Sequence, residues 1–365
     1  MALILDNSKA NLEKAALKIR EGNVVIFPTE TVYGIGANAM DINAIDKIFR
    51  FKNRPQNNPL ILHISNIQMA ETLIDINENE HKIFKTLAEE FWPGPVTFLL
   101  KKSRYVNDIC TAGSEYVGIR CPQNKIARNL IYLSGVPICA PSANISGKAS
   151  STTTSHVLSY FKDNKDITII TTDEPCQFGI ESTIIKIETG KVTVMRPGII
   201  TGTDIERVLK NLDIRILIDI PLTQSINPGS DINHYQIDKK VALVNFMADN
   251  ELNTGLEKYN IMKTIEYYLM NSIFIDFGGN NLNLIDKFYG YVDLSEKGDP
   301  KEALFNLYSV LHQLKDIECS NIIVFNFYKN KKGYYRTLYD RLIRCCGGKE
   351  ILIPYIVEKG TLSES

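Results

Sequence analysis

The sequence lacks the regular cysteine and histidine spacing of a metal site or a disulfide framework. Its seven cysteines are scattered and odd in number, no two of them are separated by two residues, and no two of the five histidines are separated by three. Structural zinc sites and disulfide scaffolds require close, regular spacing. We therefore expect reduced, mostly buried thiols and no metal ion held by protein residues alone.

A charge excess of one sign and long apolar runs are also missing. The 41 basic and 42 acidic residues give a net charge of −1, which argues against a protein that coats polyanions but allows local basic patches. No apolar run approaches the roughly 18–20 residues of a membrane helix. The first residues show neither the basic lead nor the apolar stretch of a secretory signal. We expect a cytoplasmic protein with no membrane association.

Nucleotide-binding signatures are absent or out of place. No Walker A sequence occurs, so a nucleotide would have to be bound without a P-loop. Gly34-Ile35-Gly36-Ala37-Asn38-Ala39 fits the letters of a dinucleotide fingerprint, but Pro28-Thr29-Glu30-Thr31 separates it from the preceding strand. The acidic residue expected about 20 positions later is replaced by Arg54 and Pro55. A Rossmann cofactor site is therefore disfavoured.

What the sequence contains is the composition of a globular α/β protein, with 44% hydrophobic and 23% charged residues. Apolar periodicity predicts strands near 24–27, 59–64, 96–100, 116–120, 136–140, 168–170, 183–185 and 192–195, and helices near 8–21, 41–51, 67–75, 79–91 and 124–133. A second, smaller unit is predicted from strands near 241–246, 273–277 and 322–325 and helices near 301–314 and 334–346. Interleaved strands and helices predict α/β sheets.

The domain boundaries follow from a change in this pattern. Between 212 and 238 the periodicity loosens, and Asn227-Pro228-Gly229-Ser230 has the chemistry of a turn. We predict a first domain over 1–211, a connector over 212–238 and a second α/β domain over 239–365.

A basic cluster precedes the strand near residue 60. If the chain is extended here, Arg50, Lys52 and Arg54 alternate to one face and present three cations together, and Pro55 favours extended geometry at Arg54. Guanidinium and ammonium groups suit a polyphosphate. A solvated basic loop remains the alternative interpretation.

Two further features suggest an anionic ligand. Ala140-Pro141-Ser142-Ala143-Asn144-Ile145-Ser146-Gly147 follows an apolar strand with short polar side chains, as phosphate cradles do; a plain Ser/Asn-rich turn is the alternative. Arg54, Arg120 and Arg196 all lie at junctions of strands and loops, where α/β folds place ligand contacts. Together they predict a pocket for an anionic substrate.

Five motifs occur in one order: Pro28-Thr29-Glu30-Thr31-Val32-Tyr33-Gly34; Lys52-x-Arg54-Pro55 with Asn58-Pro59-Leu60 and His63; Ser142-x-Asn144-x-Ser146-Gly147; Glu181-Ser182-Thr183; and Arg196-Pro197-Gly198. In this combination the chain resembles the YrdC-like threonylcarbamoyl-AMP synthases. Gly298-Asp299 and Tyr339-Asp340-Arg341-Leu342 extend the resemblance, more weakly, to the two-domain form of that family.

The resemblance implies a fold and a reaction. The fold is a twisted mixed parallel and antiparallel sheet with a basic cavity, followed by a smaller Rossmann-like α/β domain. The reaction converts L-threonine, bicarbonate and ATP, with Mg²⁺ on the phosphates, to threonylcarbamoyl-AMP and pyrophosphate. A separate tRNA threonylcarbamoyl transferase would then modify adenosine 37 of tRNAs that read codons starting with A, and tRNA itself is a candidate contact.

The resemblance also implies site residues. The candidates for L-threonine are Thr31, His63, Arg120, Ala140 and Ser182, and those for ATP are Lys52, Arg54, Asn58, Tyr116, Ser142, Asn144, Ser150, Arg196 and Tyr235. Arg120 suits the threonine carboxylate because a guanidinium binds a carboxylate bidentately. Lys52 and Arg54 would stabilise the charge that develops on pyrophosphate. No general base is required, because a carbamate is already an oxyanion.

The connector departs from the family pattern. Asp231 and Asn233 stand where the family has basic residues, whereas His234 and Tyr235 are retained. We predict that His234 and Tyr235 belong to a lid over the nucleotide; an ordinary interdomain linker is the alternative.

A different class of function is an RNA-binding module without catalysis. Lys329-Asn330-Lys331-Lys332-Gly333-Tyr334-Tyr335-Arg336 interleaves cations with aromatic residues, as surfaces that bind single-stranded nucleic acid do. However, Asp340 lies four residues from both Arg336 and Arg344, so pairing within a helix accounts for much of this charge. Carbamoyl transfer to another protein is a third interpretation, but the added acylphosphatase and zinc-finger regions of such relatives have no counterpart here.

Overall fold

The structure of the chain, a computed structural model, describes residues 1–218, 235–236, 239–247, 269–279, 281–319, 321–325 and 332–354. The predicted lid residue His234 and residues 329–331 of the basic, aromatic segment lie outside these ranges. Tyr235 lies within them.

The amino-terminal unit is built on one large sheet. Its strands are β1 (Leu3–Leu5), β2 (Val24–Phe27), β3 (Gly34–Asn38), β4 (Ile61–His63), β5 (Val96–Lys101), β6 (Tyr116–Arg120), β7 (Ile138–Cys139), β8 (Ile167–Ile170), β9 (Thr183–Glu188), β10 (Lys191–Arg196) and β11 (Arg215–Leu217). Its helices are α1 (Lys9–Arg20), α2 (Ile42–Lys52), α3 (Ile67–Glu71), α4 (Glu78–Phe91), α5 (Asp108–Thr111), α6 (Lys125–Ser134), α7 (Thr154–Phe161) and α8 (Gly202–Leu209).

The strands of this sheet run in both directions. Among the described residues their order is β1-β8-β2-β3-β7-β4-β6-β5-β9-β10-β11. Neighbours such as β4 and β6 are parallel, whereas β3 and β7, or β5 and β6, are antiparallel. The mixed sheet predicted for this unit is therefore confirmed.

Helix α2 shows how local sequence positions the site. Its N-cap, Asp41, accepts hydrogen bonds from the backbone N–H groups of Asn43 and Ala44, which satisfies donors that have no partner within the helix. The helix ends at Lys52, and its C-cap, Asn53, has the left-handed conformation (φ 52°) that asparagine tolerates better than most residues. The backbone N–H of Arg54 then donates to the carbonyl oxygen of Phe49 at 2.9 Å, and the side chain of Arg54 bonds to the loop that precedes β4.

The carboxyl-terminal unit is a smaller parallel sheet. Its strands are β12 (Lys240–Met247), β13 (Ser272–Asp276), β14 (Gly290–Asp293), β15 (Asn321–Phe325) and β16 (Glu350–Pro354), in the order β14-β13-β15-β12-β16. The helices α9 (Pro300–Leu314) and α10 (Tyr334–Cys345) and a 3₁₀ helix at Leu282–Lys287 accompany it. Each described strand pair is parallel, which confirms the second α/β domain.

The two units share a hydrophobic interface. Val32, Ala149 and Ile180 of the first unit belong to the same buried cluster as Leu304 and Leu307 of α9. A Cβ atom at Gly179 would lie 2.6 Å from the carbonyl oxygen of Phe305, so only glycine allows this close approach. The second unit is therefore packed directly against the segments that carry two of the five motifs.

Two details correct the sequence analysis. The extended geometry predicted for Arg50–Arg54 is wrong, because α2 continues to Lys52 and positions two apart on a helix do not face each other. Arg50 is exposed, whereas Lys52 and Arg54 are buried. The segment Gly34-Ile35-Gly36 is strand β3, where a Cβ atom at Gly36 would lie 2.5 Å from Ile138. Its glycines serve close packing within the sheet.

The remaining differences concern short elements. The predicted helix near 67–75 ends at Glu71, and β1, α5, α7, α8, β11, β14 and β16 were not predicted. Strand β11 pairs with β10 in the large sheet although it lies within the predicted connector. The domain limits at 211 and 238 stay predictions.

The thiols and helices agree with the composition. All seven cysteines are free, and six of them are buried, as expected for reduced core thiols. Within the described ranges, no helix is both long and apolar enough to span a membrane.

Candidate active site

The five motifs converge on one cavity of the first unit, with a volume of about 50 Å³. All five residues predicted to bind L-threonine line this cavity: Thr31, His63, Arg120, Ala140 and Ser182. Four of the residues predicted to bind ATP also line it: Arg54, Ser142, Arg196 and Tyr235. The cavity lies beside strands β3, β4, β6 and β7, the segment that precedes β9 and the end of β10. It is small compared with the roughly 300–1,000 Å³ of typical small-molecule pockets.

One wall is formed by Arg120 at the end of β6. Its guanidinium donates through Nη2 to Oε1 of Glu30 at 2.6 Å and through Nη1 to Oγ1 of Thr31 at 2.8 Å. The positive charge of Arg120 lowers the pKa of Glu30 although burial alone would raise it. Arg120 Nε is buried and donates to no group in the described part of the protein, so the guanidinium retains hydrogen-bonding capacity for a ligand acceptor.

His63 lies at the end of β4, beside Arg120. Its Nδ1 lies 3.2 Å from the carbonyl oxygen of Ile61. Burial, and next the positive charge of Arg120, lower the pKa of His63 to about 3. The imidazole is therefore neutral at physiological pH and acts by hydrogen bonding rather than by charge.

Arg54 is held by the loop that leads into β4. Its Nε donates to the carbonyl oxygen of Asn58 at 3.1 Å, and its Nη2 donates to that of Pro59 at 2.8 Å. Nη1 takes part in neither bond. Burial, and next the charge of Arg196, lower the pKa of Arg54 to about 9. Two buried guanidinium groups near each other make this end of the cavity an anion site.

Lys52 does not line the cavity; it holds the backbone of the Ser142–Asn144 loop. Its Nζ donates to the carbonyl oxygens of Ser142 and Asn144, both at 2.5 Å. The Ser142 hydroxyl donates to Oδ1 of Asn144, whose Nδ2 donates to the carbonyl oxygens of Ile145 and Lys148. Burial, and next the charge of Arg54, lower the pKa of Lys52 well below its usual value. The Lys-x-Arg and Ser-x-Asn motifs are thus joined by direct hydrogen bonds.

The opposite wall combines Ser182 with Arg196. Arg196 donates through Nε and Nη2 to the carbonyl oxygen of Ser182, at 3.1 and 2.9 Å. The Ser182 hydroxyl lies 2.7 Å from Oγ1 of Thr97 on β5. These bonds tie the segment before β9 to the end of β10.

Tyr235 belongs to the predicted lid, and its fully buried ring lines the cavity. Its backbone is in the left-handed conformation (φ 66°), and its ring centroid lies 5.2 Å from that of Tyr308. The next residue, Gln236, donates its backbone N–H to the carbonyl oxygen of Gly147 at 2.6 Å. This part of the connector is therefore docked on the Ser-x-Asn loop.

Five predicted ATP residues do not line this cavity. Lys52, Asn58 and Asn144 support its walls, and Ser150 donates to Glu181 at 2.6 Å. Tyr116 instead lines a neighbouring cavity of about 490 Å³, which shares Pro59 with the first. The Nζ atom of Lys186 lies 4.0 Å from the centroid of the Tyr116 ring.

Sequence reasoning missed the carboxylates of the site and their partners. Glu30 and Glu181 belong to two of the five motifs. Because arginine binds carboxylates, the sequence could have suggested that Glu30 pairs with Arg120. Glu181 accepts hydrogen bonds from Tyr308 and Arg341 of the second unit. No spacing in the sequence could have revealed these partners, because they lie more than 120 residues away.

Family comparisons agree with this geometry. Residues 18–198 match the Sua5/YciO/YrdC family model, described as "Telomere recombination", and residues 200–347 match "Threonylcarbamoyl-AMP synthase, C-terminal domain". The chain is also similar to the crystal structure of Pyrococcus abyssi Sua5 complexed with L-threonine, with a TM-score of 0.79 and 32% identity over 97% of this chain and 99% of that chain. The chain belongs to the threonylcarbamoyl-AMP synthase family.

Curated relatives of the family give the same result. The threonylcarbamoyl-AMP synthases of Pyrococcus abyssi and Bacillus subtilis are 41% and 40% identical, each over 63% of this chain and 66% of the relative. The Schizosaccharomyces pombe synthase is 32% identical over 69% of this chain and 68% of the relative. These matches confirm the family inferred from the five motifs and favour an enzyme over a non-catalytic RNA-binding module.

Among the described residues, no group of three or more His, Cys, Asp or Glu side chains is placed to hold a metal ion. Glu181 is the carboxylate that lines the cavity, and it already accepts hydrogen bonds from three side chains.

Proposed function

We propose that this chain is an L-threonylcarbamoyladenylate synthase, a nucleotidyltransferase that forms threonylcarbamoyl-AMP and pyrophosphate from L-threonine, bicarbonate and ATP. The observation that carries the proposal is the convergence of all five predicted threonine residues with Arg54, Ser142 and Arg196 on one buried cavity. The Pyrococcus abyssi Sua5 structure, a complex with L-threonine, supports the amino-acid half of the proposal.

Arg120 is the proposed anchor for the threonine carboxylate. Its pairing with Glu30 fixes the plane of the guanidinium, and its Nε and the second hydrogens on its Nη atoms are left for the ligand. The hydroxyl-bearing groups Thr31 and Ser182 and the neutral His63 line the same cavity. They are suited to hydrogen-bond the ammonium and hydroxyl groups of threonine, and the backbone of Ala140 closes the remaining side.

Arg54 and Arg196 are the proposed contacts for the triphosphate. Both are buried beside the cavity, where a guanidinium acts more strongly on phosphate charge than it would in water. Lys52 and Asn144 would support them by holding the Ser142 loop, and Asn58 would hold Arg54. Tyr116 would contribute from the neighbouring cavity, which extends the site beyond Pro59. Ser150 would act through Glu181.

The chemical step needs positioning and charge stabilisation. The neutral amino nitrogen of threonine bonds to the carbon of bicarbonate while the bond to its hydroxyl oxygen breaks, and the hydroxide takes up a proton from the amine and leaves as water. A carbamate oxygen then bonds to the α-phosphorus of ATP while the bond to the pyrophosphate oxygen breaks. Arg54 and Arg196 stabilise the charge that moves onto pyrophosphate. Mg²⁺ bound to the phosphates would neutralise further charge.

Tyr235 is the proposed lid residue, with His234 beside it in sequence. In the present conformation the Tyr235 ring lines a cavity of about 50 Å³, which is too small for two substrates. As a lid, Tyr235 and Gln236 would move away from the loop at Ser142–Gly147 when the substrates enter, and their return would exclude water from the adenylate.

The product and setting of the reaction complete the proposal. Threonylcarbamoyl-AMP is a mixed anhydride, so a downstream tRNA threonylcarbamoyl transferase would consume it to modify adenosine 37 of tRNAs that read A-starting codons. Direct contact with tRNA is a secondary proposal. A cytoplasmic location is consistent with the seven free cysteines.

The decisive test is pyrophosphate release from ATP and Mg²⁺ by the full chain. We expect release that depends on both L-threonine and bicarbonate, with threonylcarbamoyl-AMP identified by mass spectrometry. Release that continues when either is omitted would contradict the proposal, as would a salt-sensitive RNA complex with no release at all.

A further inference from the structure

The second unit reaches into the cavity through one arginine of α10. Arg341 is fully buried, and its Nε donates to Oε2 of Glu181 at 3.1 Å while its Nη2 donates to the carbonyl oxygen of Pro197 at 3.0 Å. Its Nη1 also bonds to Asp340. Arg341 thus contacts two segments: the one just before β9, which carries Glu181, and the one just after β10, which carries Pro197.

Glu181 is the reason why these contacts matter for the site. It is 7% exposed and lines the cavity together with Arg54, Ser182 and Arg196. Its carboxylate accepts from Ser150 Oγ at 2.6 Å, from Tyr308 OH at 2.8 Å and from Arg341. A carboxylate next to a triphosphate repels it unless its charge is compensated.

The carbonyl group of Pro197 links Arg341 to Arg196, which we propose contacts the triphosphate of ATP. Pro197 follows Arg196, which is bonded to Ser182. Thr337, one turn before Arg341 on α10, donates to the carbonyl oxygen of Gly198 at 3.0 Å. A Cβ atom at Gly198 would lie 2.5 Å from the backbone nitrogen of Thr183, so this turn packs closely on the start of β9.

We propose that Arg341 is a positioning residue for the active site of the first unit: it compensates the charge of Glu181 and fixes the turn that carries Arg196. The second unit is then required for catalysis in the first without contacting a substrate. This inference rests on the proposed function, because its effect is measured as use of ATP.

The test compares Arg341→Met, Arg341→Lys and Arg344→Met in the full chain, each checked for folding by circular dichroism and thermal unfolding. Arg344 is a matched control because it is buried on the same helix and pairs with Asp340, but neither Glu181 nor Pro197 is among the partners shown for it. We expect Arg341→Met to lower kcat/KM for ATP at least about 10-fold more than Arg344→Met does, and Arg341→Lys to lie between, since lysine keeps the charge but not the fork.

A second-site variant separates positioning from general damage to the fold. If the loss arises from the uncompensated carboxylate, Glu181→Gln added to Arg341→Met should restore part of the kcat/KM for ATP, by about 3-fold or more, and weaken the dependence of KM on ionic strength. A double variant no better than Arg341→Met, or equal losses in Arg341→Met and Arg344→Met, would overturn the inference. If Arg341→Met does not fold, the same comparison is made with Arg341→Lys.

These outcomes are distinct from failure of the proposed function. An unmodified chain that releases no threonine-dependent pyrophosphate would refute the proposed reaction, and the inference about Arg341 with it. An active chain that is insensitive to Arg341 would refute the inference alone.

Discussion

Glu30 and Arg120 form an ion pair with 2.6 Å between Oε1 and Nη2, and their side chains are 2% and 5% exposed. The two residues are 90 positions apart and come from the first motif and from the end of β6. A buried pair of this kind is costly to break, because the remaining charge is left without compensation. The pair therefore fixes the orientation of the guanidinium that we assign to the threonine carboxylate.

Glu30→Gln should weaken both the fold and the use of threonine. We expect a loss of about 3–5 kcal/mol in the free energy of unfolding, measured by urea denaturation, because a buried arginine loses its counter-charge. The KM for threonine should rise at least about 10-fold, since the guanidinium is no longer held in one plane. The matched control is Glu71→Gln, which removes an exposed pair with His81 and should cost less than about 0.5 kcal/mol. Equal effects of the two substitutions would argue against this role.

Arg54→Ala should abolish most pyrophosphate release. Removing a cation that stabilises charge in the transition state costs about 10²-fold or more in rate, and Arg54 lines the cavity. Arg50→Ala is the control, because Arg50 lies on the same basic segment but is exposed, and its rate should stay within about twofold of the unmodified chain. Near-normal release by Arg54→Ala would reject the assigned role.

Lys52→Met should loosen the Ser-x-Asn loop. The carbonyl oxygens of Ser142 and Asn144 lose the ammonium that joins them to α2, and backbone amides of residues 142–148 should then exchange with deuterium about 10-fold faster. Lys47→Met is the control, since Lys47 donates to the carbonyl oxygen of Gly22 from the same helix. The assignment fails if both variants show the same exchange in this loop.

The sequence was sufficient to predict strands β4, β6 and β7 beside the site and nine of the residues that line its cavity, but not strand β3 or the cavity residue Glu181. Strands such as β4 and β6 are short apolar runs, and the polar residues at their ends, His63 and Arg120, meet because the two strands are parallel neighbours with His63 opposite Arg120 in register. A continuous apolar run of this length, bounded by turn residues, predicts a buried strand. The order of strands in the sheet is not encoded in this pattern.

The features that sequence reasoning missed depend on long-range contacts. The predicted contact of Lys52 with the phosphates stays a prediction, whereas its bonds to two carbonyl oxygens were not predicted. The helical phase of α2 decides this, since it buries Lys52 and exposes Arg50. In the same way, the pairing of Glu181 with Arg341 arises from the packing of the second unit, which no local pattern specifies.

The interface between the units contains a stacked histidine pair that makes stability depend on pH. The rings of His156 on α7 and His312 on α9 lie 3.8 Å apart at 10°. Burial lowers the pKa of His156 to about 3 and that of His312 to about 4, and the positive charge of Lys315 contributes at both. Both rings are therefore neutral in the folded chain, whereas in the unfolded chain they take up a proton below about pH 6.5.

The sign of the effect follows from proton binding. Because the unfolded state binds more protons between about pH 6.5 and 4, the stability present above pH 6.5 is lost as the pH falls through this window. His312→Gln keeps an amide donor for the carbonyl oxygen of Ser150, which lies 3.1 Å from Nε2, but cannot titrate. Between pH 7.5 and pH 5, the unfolding free energy of the unmodified chain should fall by about 2 kcal/mol more than that of His312→Gln.

A packing variant in the core of the first unit distinguishes titration from a general loss of stability. Val157→Ala removes two methyl groups from a fully buried position next to His156 and should lower the unfolding free energy by about 1–3 kcal/mol at every pH. Its stability curve should thus run parallel to that of the unmodified chain, while the curve of His312→Gln should be flatter. If His312→Gln also runs parallel, the pair does not control the pH dependence, and His63, whose pKa is about 3, is the next residue to substitute, because its burial predicts the same sign.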